Sequence, residues 1–226
     1  MIGAACGMHP ASSYWPLFDL VVTTPRLTLR YVDDGLAVRL AALAAQGIHP
    51  PEQMPFSVPW TRAEPGQLEQ QSLQYYWRTR ADTAPDAWEL LFAACEGDEV
   101  LGVQGVSATS FAVTRTVSTG SWLGQQHQGR GVGREMRAAV LHLAFAGLGA
   151  ELATTSAFAD NTASLAVTRA LGYRQNGWEI SDREGTPARH LRFVMERADW
   201  EPQRRDDIAV SGLEPCRPLL GISPPP

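Results

Sequence analysis

One segment of the chain carries the strongest sign of chemistry, and it reads Gln128-Gly129-Arg130-Gly131-Val132-Gly133-Arg134. Its glycines let backbone amides approach a ligand closely, and the helix predicted after it would leave the amides of its first turn unpaired. Arg130 and Arg134 place permanent cations beside these amides. These features indicate a site for a pyrophosphate group. The alternative is a tight turn that needs small residues and binds nothing.

A dinucleotide-binding loop is a further alternative for the same segment. The G-x-G-x-x-G pattern needs a third glycine where this chain, counted from Gly129, has Arg134. Glu151 does follow Gly131 by about twenty residues, as a ribose-binding acid would. The preceding strands, however, are predicted to be antiparallel neighbours, whereas a dinucleotide fold opens on a parallel sheet. The pattern therefore argues against a dinucleotide site.

Residues suited to metal binding are scattered along the chain. The cysteines are Cys6, Cys95 and Cys216, and the histidines are His9, His49, His127, His142 and His190. No spacing among them matches a zinc site or a disulfide framework, so we expect no metal and a reducing compartment. No signal sequence or membrane-length apolar run is recognisable in the chain. We therefore expect a cytoplasmic protein without a membrane partner.

Composition narrows the possible functions further. The 226 residues are 44% hydrophobic, which suits one folded domain, and the formal charge is −5. Such a charge provides no broad basic surface, so no nucleic-acid partner is expected. All 19 basic residues are arginine. The absence of lysine excludes a Walker-type phosphate-loop lysine and a Schiff-base lysine.

The first elements follow from apolar periodicity. Leu27, Leu29 and Tyr31 alternate with polar residues and predict a strand, after which a helix begins at Asp33 and Asp34 and runs to about residue 46. Residues 49–65 contain five prolines, which predicts a long loop without regular structure. A second helix is predicted to follow this loop, from about residue 66 to residue 80.

Strands come next along the chain. Apolar runs at 88–94 and 99–107 flank Glu96-Gly97-Asp98, which predicts a hairpin of antiparallel neighbours. A third strand, at 116–123, leads into the glycine segment. The helix after Gly133 has an apolar stripe wide enough to cover a sheet.

The remaining pattern completes an α/β layer fold. The predicted elements are a strand at 151–159, a helix at 162–171 and strands at 173–180 and 189–197. Residues 1–17 are predicted to be a flexible lead-in and 18–200 to be the domain. Residues 201–226 form a tail that either lies over the domain or is disordered.

The chain contains, in order, a strand, Q-x-x-G-x-G, an amphipathic helix, a strand, D-N-T-A-S, a short helix, L-G-Y and a strand. This order resembles that of the GNAT superfamily of acyl-CoA-dependent N-acyltransferases. T-P-R-L-T-L-R, M-P-F-S-V-P-W-T and the N-x-x-S spacing of Asn161 and Ser164 resemble the RimJ/RimL-type branch. The likeness covers about residues 23–200. It implies a single α/β domain of α+β type, with a mixed, mostly antiparallel twisted sheet flanked by helices.

The resemblance also implies acyl-CoA as a co-substrate. The strand before the glycine segment would part from its neighbour, so that backbone around Trp122 and Leu123 could pair with the pantetheine arm. One amide there would face the thioester oxygen as an oxyanion donor. Residues 128–134 would hold the pyrophosphate, Asn161 would contact the pantetheine amide region, and Arg169 could reach the adenosine phosphate.

The proton donor implied by the resemblance is Ser164, which would protonate the departing thiolate. A hydroxyl group can donate a proton directly or through water. The start of a helix would also account for these two residues, with Asn161 as the cap and Ser164 in the first turn. The catalytic and the capping interpretations both stay open. Many other members carry a tyrosine four residues later, where this chain has Thr168.

The general base is less well defined, because the relatives place a glutamate in a segment that is shorter here. Glu179, Asp182 and Glu184 are the candidates, and Glu184 is our prediction; a surface acid without a catalytic role is the alternative for each of the three. A lysine amine is neutral in only about one molecule in 2,500 at pH 7, against about one in ten for an α-amine. The lack of a well-defined base therefore favours peptide N-termini or small molecules of lowered amine pKa as acceptors.

The long proline-containing loop would line the acceptor side. The candidate substrate-binding residues are Phe56, Trp60 and Thr61, together with Pro59. Packing of the loop against the sheet is the other explanation for the aromatic residues. Some members of this branch use succinyl-CoA, so Arg62 and Arg115 are candidates for an acyl-chain carboxylate.

We therefore expect an N-acyltransferase that moves an acyl group, acetyl by default and succinyl as the variant, to a primary amine in a ternary complex. The acceptor could be a protein, a peptide or a small molecule. The alternative is an acyl-CoA-binding sensor without turnover, and a third possibility is a domain whose glycine loop binds nothing. A homodimer is expected from the relatives.

Overall fold

The computed structural model describes residues 9–222. The strands are, in chain order, β1 (Val21–Thr23), β2 (Thr28–Tyr31), β3 (Ala87–Glu96), β4 (Glu99–Thr109), β5 (Thr116–Leu123), β6 (Leu152–Phe158), β7 (Arg174–Arg183), β8 (Thr186–Glu196) and β9 (Ala209–Ser211). The helices are α1 (Asp34–Ala45), α2 (Gln67–Ala81), α3 (Phe111–Thr114), α4 (Val132–His142), α5 (Thr162–Ala170) and α6 (Arg197–Trp200). None of the helices in this range is long and apolar enough to cross a membrane.

The nine strands of residues 9–222 form one sheet in the order β7-β8-β6-β5-β4-β3-β2-β1-β9. Helix α4 covers one face, where Met136 and Val140 pack into the main core with Phe92 of β3. Helices α1 and α2 cover the other face, where Leu40 and Tyr76 pack with residues of β3 and β4. The predicted α/β domain with a mixed, mostly antiparallel sheet is confirmed.

Local sequence signals account for several of these elements. The β3–β4 hairpin turns at Gly97, whose φ of 59° suits glycine, and its strands pair from Glu96 and Glu99 onward. Helix α1 begins where the Asp33 carboxylate accepts the Leu36 amide at 2.7 Å. The hairpin and the helix both lie where the sequence predicts them.

The gap between β5 and β6 positions the site. These two strands are the one parallel pair of the sheet in residues 9–222, and their pairing runs only from Thr116–Leu152 to Ser118–Thr154. Beyond that point β5 continues to Leu123 and β6 to Phe158 without pairing to each other. The two strands therefore part toward their C-terminal ends, next to the start of α4.

The core extends beyond the predicted domain boundaries at both ends. Residues 1–8 of the predicted lead-in lie outside the described residues, whereas Leu17 is fully buried. At the other end β9 pairs with β1, and Cys216 and Leu220 are buried in the main core. The folded domain is therefore larger than residues 18–200, because both flanking segments bury apolar side chains.

Candidate functional site

The glycine segment between β5 and α4 has the geometry of an anion-binding helix start. Gly129 and Gly131 have φ values of 71° and 80°, in the left-handed region that favours glycine. A Cβ atom at either residue would have nothing within 4 Å, so the space beside this backbone is open. Gly131 caps α4 without a side-chain hydrogen bond. The first amides of α4 therefore face open space at the positive end of the helix.

Two arginines flank this open space, and their surroundings differ. The Arg130 guanidinium lies 3.4 Å from Glu96, which also pairs with Arg26 at 2.6 Å. Arg134 is exposed, and no carboxylate of residues 9–222 lies within ion-pair distance of it. Arg134 is therefore the cation more available to an anionic ligand.

The Gln128 side chain makes hydrogen bonds within the protein, although the residue is exposed. Its side-chain amide donates to the carbonyl oxygens of Ile48 at 2.6 Å and of Leu123 at 3.0 Å. These two hydrogen bonds join the glycine segment to the end of β5 and to the loop after α1. Gln128 thus fixes the relative position of the two sides of the site.

Glycines also allow close packing around the end of β5. Gly102 lies opposite Leu123, and a Cβ at this position would lie 2.8 Å from the Leu123 Cα and would collide with the Trp122 carbonyl oxygen. A Cβ at Gly133 would instead make ordinary contacts of 3.6–3.7 Å with Leu123 and Val167. The backbone of Trp122 and Leu123 is thus held firmly on its β4 side.

A buried arginine that sequence reasoning missed lies near the point where β5 and β6 part. Arg137 of α4 is 3% exposed, and its guanidinium donates to the hydroxyls of Ser121 at 2.9 Å and Thr155 at 3.2 Å. Ser121 belongs to β5 and Thr155 to β6, so Arg137 bridges the parting strands. Burial lowers the pKa of Arg137. A charged residue between apolar neighbours on α4 was the available signal.

Helix α5 begins beside the same gap. The Asn161 side chain caps it by accepting a hydrogen bond from the Ser164 amide at 3.1 Å. This is the contact that the helix-cap interpretation of the two residues predicts. Ser164 itself is half-buried, and Thr168 is 1% exposed. Arg169 is exposed in the last turn of the helix.

The loop between α1 and α2 is ordered by aromatic packing. The Trp60 ring lies 5.4 Å from Phe56 and 6.0 Å from Trp122 at the end of β5. The Thr61 hydroxyl hydrogen-bonds the His49 Nε2 at 2.8 Å. The packing explanation therefore accounts for these aromatic residues, and the packing also places the loop directly over the end of β5. His49 is a polar residue of this cluster that the sequence did not single out.

Glu184 lies at the tip of the β7–β8 hairpin, facing the same loop. Its carboxylate accepts two hydrogen bonds from Arg62, at 2.9 and 3.2 Å, and these bonds hold its pKa below the usual glutamate range. A carboxylate stabilised in its charged form is a poor proton acceptor. Arg62 is occupied by the same pair, so the structure disfavours both expected roles.

Arg115 lies far from this region. It precedes β5, and its carbonyl oxygen accepts the amides of Glu151 and Leu152. The full length of β5 separates it from Leu123, on the order of 25 Å for a strand of this size. Arg115 therefore does not fit the expected contact with an acyl chain.

Two further features were not visible in the sequence. A groove of about 410 Å³ continues from Gly131 and Arg134 along α4, and its other wall is formed by Trp200, Gln203 and Arg205. On the opposite face of the sheet, Glu89 accepts a hydrogen bond from Tyr75 at 3.0 Å beside Gly105. Within residues 9–222, no group of three or more His, Cys, Asp or Glu residues could hold a metal ion.

Residues 26–174 match the family model described as Acetyltransferase (GNAT) domain. The chain belongs to this acetyltransferase family. Because the model covers more than half of the chain, the predicted GNAT membership is confirmed.

Solved structures with the same fold agree with this family. RimJ from Mycobacterium smegmatis, in complex with a CoA disulfide, has a TM-score of 0.65 and 18% identity over 82% of this chain and 91% of its own. RimL, a ribosomal L7/L12 alpha-N-protein acetyltransferase in complex with coenzyme A, has a TM-score of 0.64 and 17% identity over 78% of this chain and 97% of its own. A chimera of the Vibrio cholerae spermidine N-acetyltransferase SpeG has a TM-score of 0.62 and 16% identity over 77% of this chain and 98% of its own.

Proposed function

We propose that this protein transfers an acyl group, acetyl by default, from acyl-CoA to a primary amine by direct attack in a ternary complex. The observation that carries the proposal is the parting of β5 and β6 next to a glycine-capped helix start. The gap between β5 and β6 offers a slot for the extended pantetheine arm, which we call the donor slot, and the start of α4 offers an anion site at one end of it. The coenzyme A complexes of RimJ and RimL, which share the fold, support the same donor.

The donor would bind along a continuous path. The pyrophosphate would lie on residues 129–134, where the first amides of α4 and the Arg134 guanidinium can contact it. The pantetheine arm would pass beside Trp122 and Leu123, with Asn161 near its amides. The groove of about 410 Å³ beside Gly131 could take the nucleotide end, with Arg169 directed at the adenosine phosphate.

The transfer would proceed by addition and elimination. The amine nitrogen attacks the thioester carbonyl carbon and loses a proton to solvent or to a side-chain base, and a backbone amide near Trp122 stabilises the oxyanion. The carbon–sulfur bond then breaks, and the thiolate of CoA takes a proton from Ser164 directly or through water. Half-burial of Ser164 at the start of α5 is compatible with this role.

The acceptor would enter beneath the loop that carries Phe56, Trp60 and Thr61. Trp60 packs on Trp122, so this loop forms the wall that faces the end of the donor slot. RimL acts on a protein α-amine and SpeG on spermidine. We favour an α-amine or another amine of lowered pKa, because a larger fraction is neutral at pH 7.

The finer expectations have unequal support. Succinyl-CoA remains the variant donor, although Arg62 is neutralised by Glu184.

A homodimer is compatible with Trp178 and Ile180, large side chains that are exposed on the edge strand β7. Light scattering on the purified protein would test it. We propose a cytoplasmic location, as the sequence predicts.

Ligand-induced stabilisation is the experiment that tests the donor site. CoA, acetyl-CoA, succinyl-CoA and NADH would be compared at equal concentration, since saturation a hundredfold above Kd stabilises by about 2.7 kcal/mol. Mass spectrometry would then follow acetylation of a peptide α-amine and of spermidine. Binding without any product would favour the acyl-CoA sensor, and no stabilisation by any CoA species would contradict both functions.

A further inference from the structure

The sheet face under α1 and α2 has a depression beside the donor slot. Strand registers place Gly105 of β4 opposite Gly120 of β5, and Gly120 comes just before the part of β5 that approaches the slot. A Cβ at Gly120 would have nothing within 4 Å, so the space above it is open. Trp122 lies two residues later on the same face and packs against Trp60. The depression therefore lies on β5 beside Trp122, the residue that contacts the acceptor loop.

Glu89 stands at the edge of this depression. It is two residues before Leu91, which pairs with Gly105, so both side chains lie on the same face of β3. The Glu89 Oε1 lies 3.8 Å from the position that a Cβ at Gly105 would occupy. Since neighbouring strands are about 4.8 Å apart, this carboxylate is about one strand away from the space above Gly120.

The surroundings of Glu89 suit proton transfer. The side chain is partly buried, and the Tyr75 hydroxyl of α2 donates to it at 3.0 Å. Burial raises the pKa of Glu89, whereas the Tyr75 hydrogen bond opposes this rise. No cation of residues 9–222 lies within ion-pair distance of this carboxylate, in contrast to Glu184. Glu89 thus keeps its basicity at the edge of the open space.

We propose that Glu89 is the general base of the acyl transfer and that the acceptor amine approaches over Gly120, next to Gly105 and the Leu91 and Glu89 side chains that cover it. The inference rests on the proposed function and names its proton acceptor. As the nitrogen–carbon bond forms, a proton passes from the amine to Glu89 directly or through one water. The carbon–sulfur bond breaks, Ser164 protonates the thiolate, and solvent restores both side chains. Tyr75 is a positioning residue that acts through Glu89.

The decisive test is the pH dependence of Glu89→Gln. The assay uses acetyl-CoA and the better of two acceptors, a peptide with a free α-amine and spermidine. We expect kcat to fall about 100-fold at neutral pH, while the stabilisation by acetyl-CoA is unchanged. At pH values below the pKa of both the amine and Glu89, log kcat/KM rises with slope two in the wild type, because two protons must leave. The slope is one in the variant.

Two further variants make the test specific. Tyr75→Phe removes a hydrogen bond that favours the charged carboxylate, so the change of slope moves to higher pH while the plateau kcat stays within about threefold. This shift also tests the proposal if Glu89→Gln does not fold. Glu99→Gln, on the first residue of β4, is the matched control, and we expect it to behave as the wild type.

The outcomes separate this inference from the function on which it rests. If the wild type transfers acetyl and Glu89→Gln keeps both kcat and slope two, Glu89 is not the base. The same conclusion follows if Glu184→Gln, and not Glu89→Gln, removes one unit of slope. If the wild type binds acetyl-CoA but acetylates neither amine, the proposed function itself is contradicted.

Discussion

The proposed donor half and the proposed acceptor half of the site are built from different parts of the polypeptide. The donor half is mostly backbone from one stretch of chain, residues 121–134, with glycines that keep the amides accessible. The acceptor half is mostly side chains from four separated segments, which are the loop around Trp60, helix α2, strand β3 and the tip of the β7–β8 hairpin.

The difference indicates which changes each half tolerates. A backbone site depends on conformation, so a single added methyl group can impair it. A side-chain site depends on packing and charge, so single substitutions alter specificity and pH dependence without removing the donor. The two halves meet at Trp122, whose backbone borders the donor slot and whose ring packs on the acceptor loop.

The largest effect is expected where the donor half depends on close packing. In Gly102→Ala the new methyl group collides with the Trp122 carbonyl oxygen and lies 2.8 Å from the Leu123 Cα, both of which are backbone atoms. The free energy of unfolding should fall by about 3 kcal/mol in urea titrations. Gly120→Ala, with nothing within 4 Å, is the control and should change it by less than about 0.5 kcal/mol. Equal losses would contradict the packing argument.

The next largest effect is expected for Arg137, which bridges β5 and β6 where the two strands part. In Arg137→Met the hydroxyls of Ser121 and Thr155 lose their charged donor. We expect the free energy of unfolding to fall by about 2 kcal/mol and the affinity for acetyl-CoA to fall about tenfold, measured by calorimetry. Arg78→Met, on the exposed surface of α2, should change neither quantity. Unchanged donor affinity in Arg137→Met would show that the bridge does not maintain the slot.

Gly131→Ala separates backbone strain from ligand binding. The φ of 80° costs an alanine about 1 kcal/mol, and the methyl group would stand in the open space at the start of α4. Acetyl-CoA affinity should fall at least tenfold. Gly185→Ala is a matched control, because its φ is 79° and its Cβ would also meet nothing within 4 Å. The control should lose similar stability but no donor affinity, and equal affinities in the two variants would refute the anion site.

The smallest effect is expected for Arg62→Ala in the acceptor half. The variant frees Glu184 and should raise KM for the amine about threefold, with kcat little changed. Because Arg62 lowers the Glu184 pKa, the wild-type pair persists above the usual glutamate pKa and is lost only as pH falls through the lowered value. The KM difference should therefore disappear at low pH. A large loss of kcat would give this pair a catalytic role.

Sequence reasoning succeeded where the determinants are contiguous. Gln128 to Arg134 lead from β5 into the first turn of α4, and the β3–β4 hairpin has its glycine turn, as the local pattern predicts. Asn161 followed by Ser164 indicates a helix cap, which the structure contains. In each case the glycine or the capping residue signals the local conformation directly.

The contacts of the acceptor half could not be predicted from local sequence patterns. Glu89 approaches Gly105 and Gly120 only through the register of three strands, which periodicity does not fix. The ion pair of Arg62 with Glu184 joins residues 122 positions apart. Strand β9 is three residues long and carries no detectable alternation, so its pairing with β1 was not predicted.

Acetyl transfer itself is the most direct test of the central claim. The measurement is the simultaneous release of free CoA thiol and formation of acetylated peptide or spermidine, with Gly131→Ala as the donor-site control. The account predicts equal amounts of thiol and acetylated amine from the wild type, with a clear loss in the control. Stabilisation by no CoA species, together with no acetylated product, would contradict it.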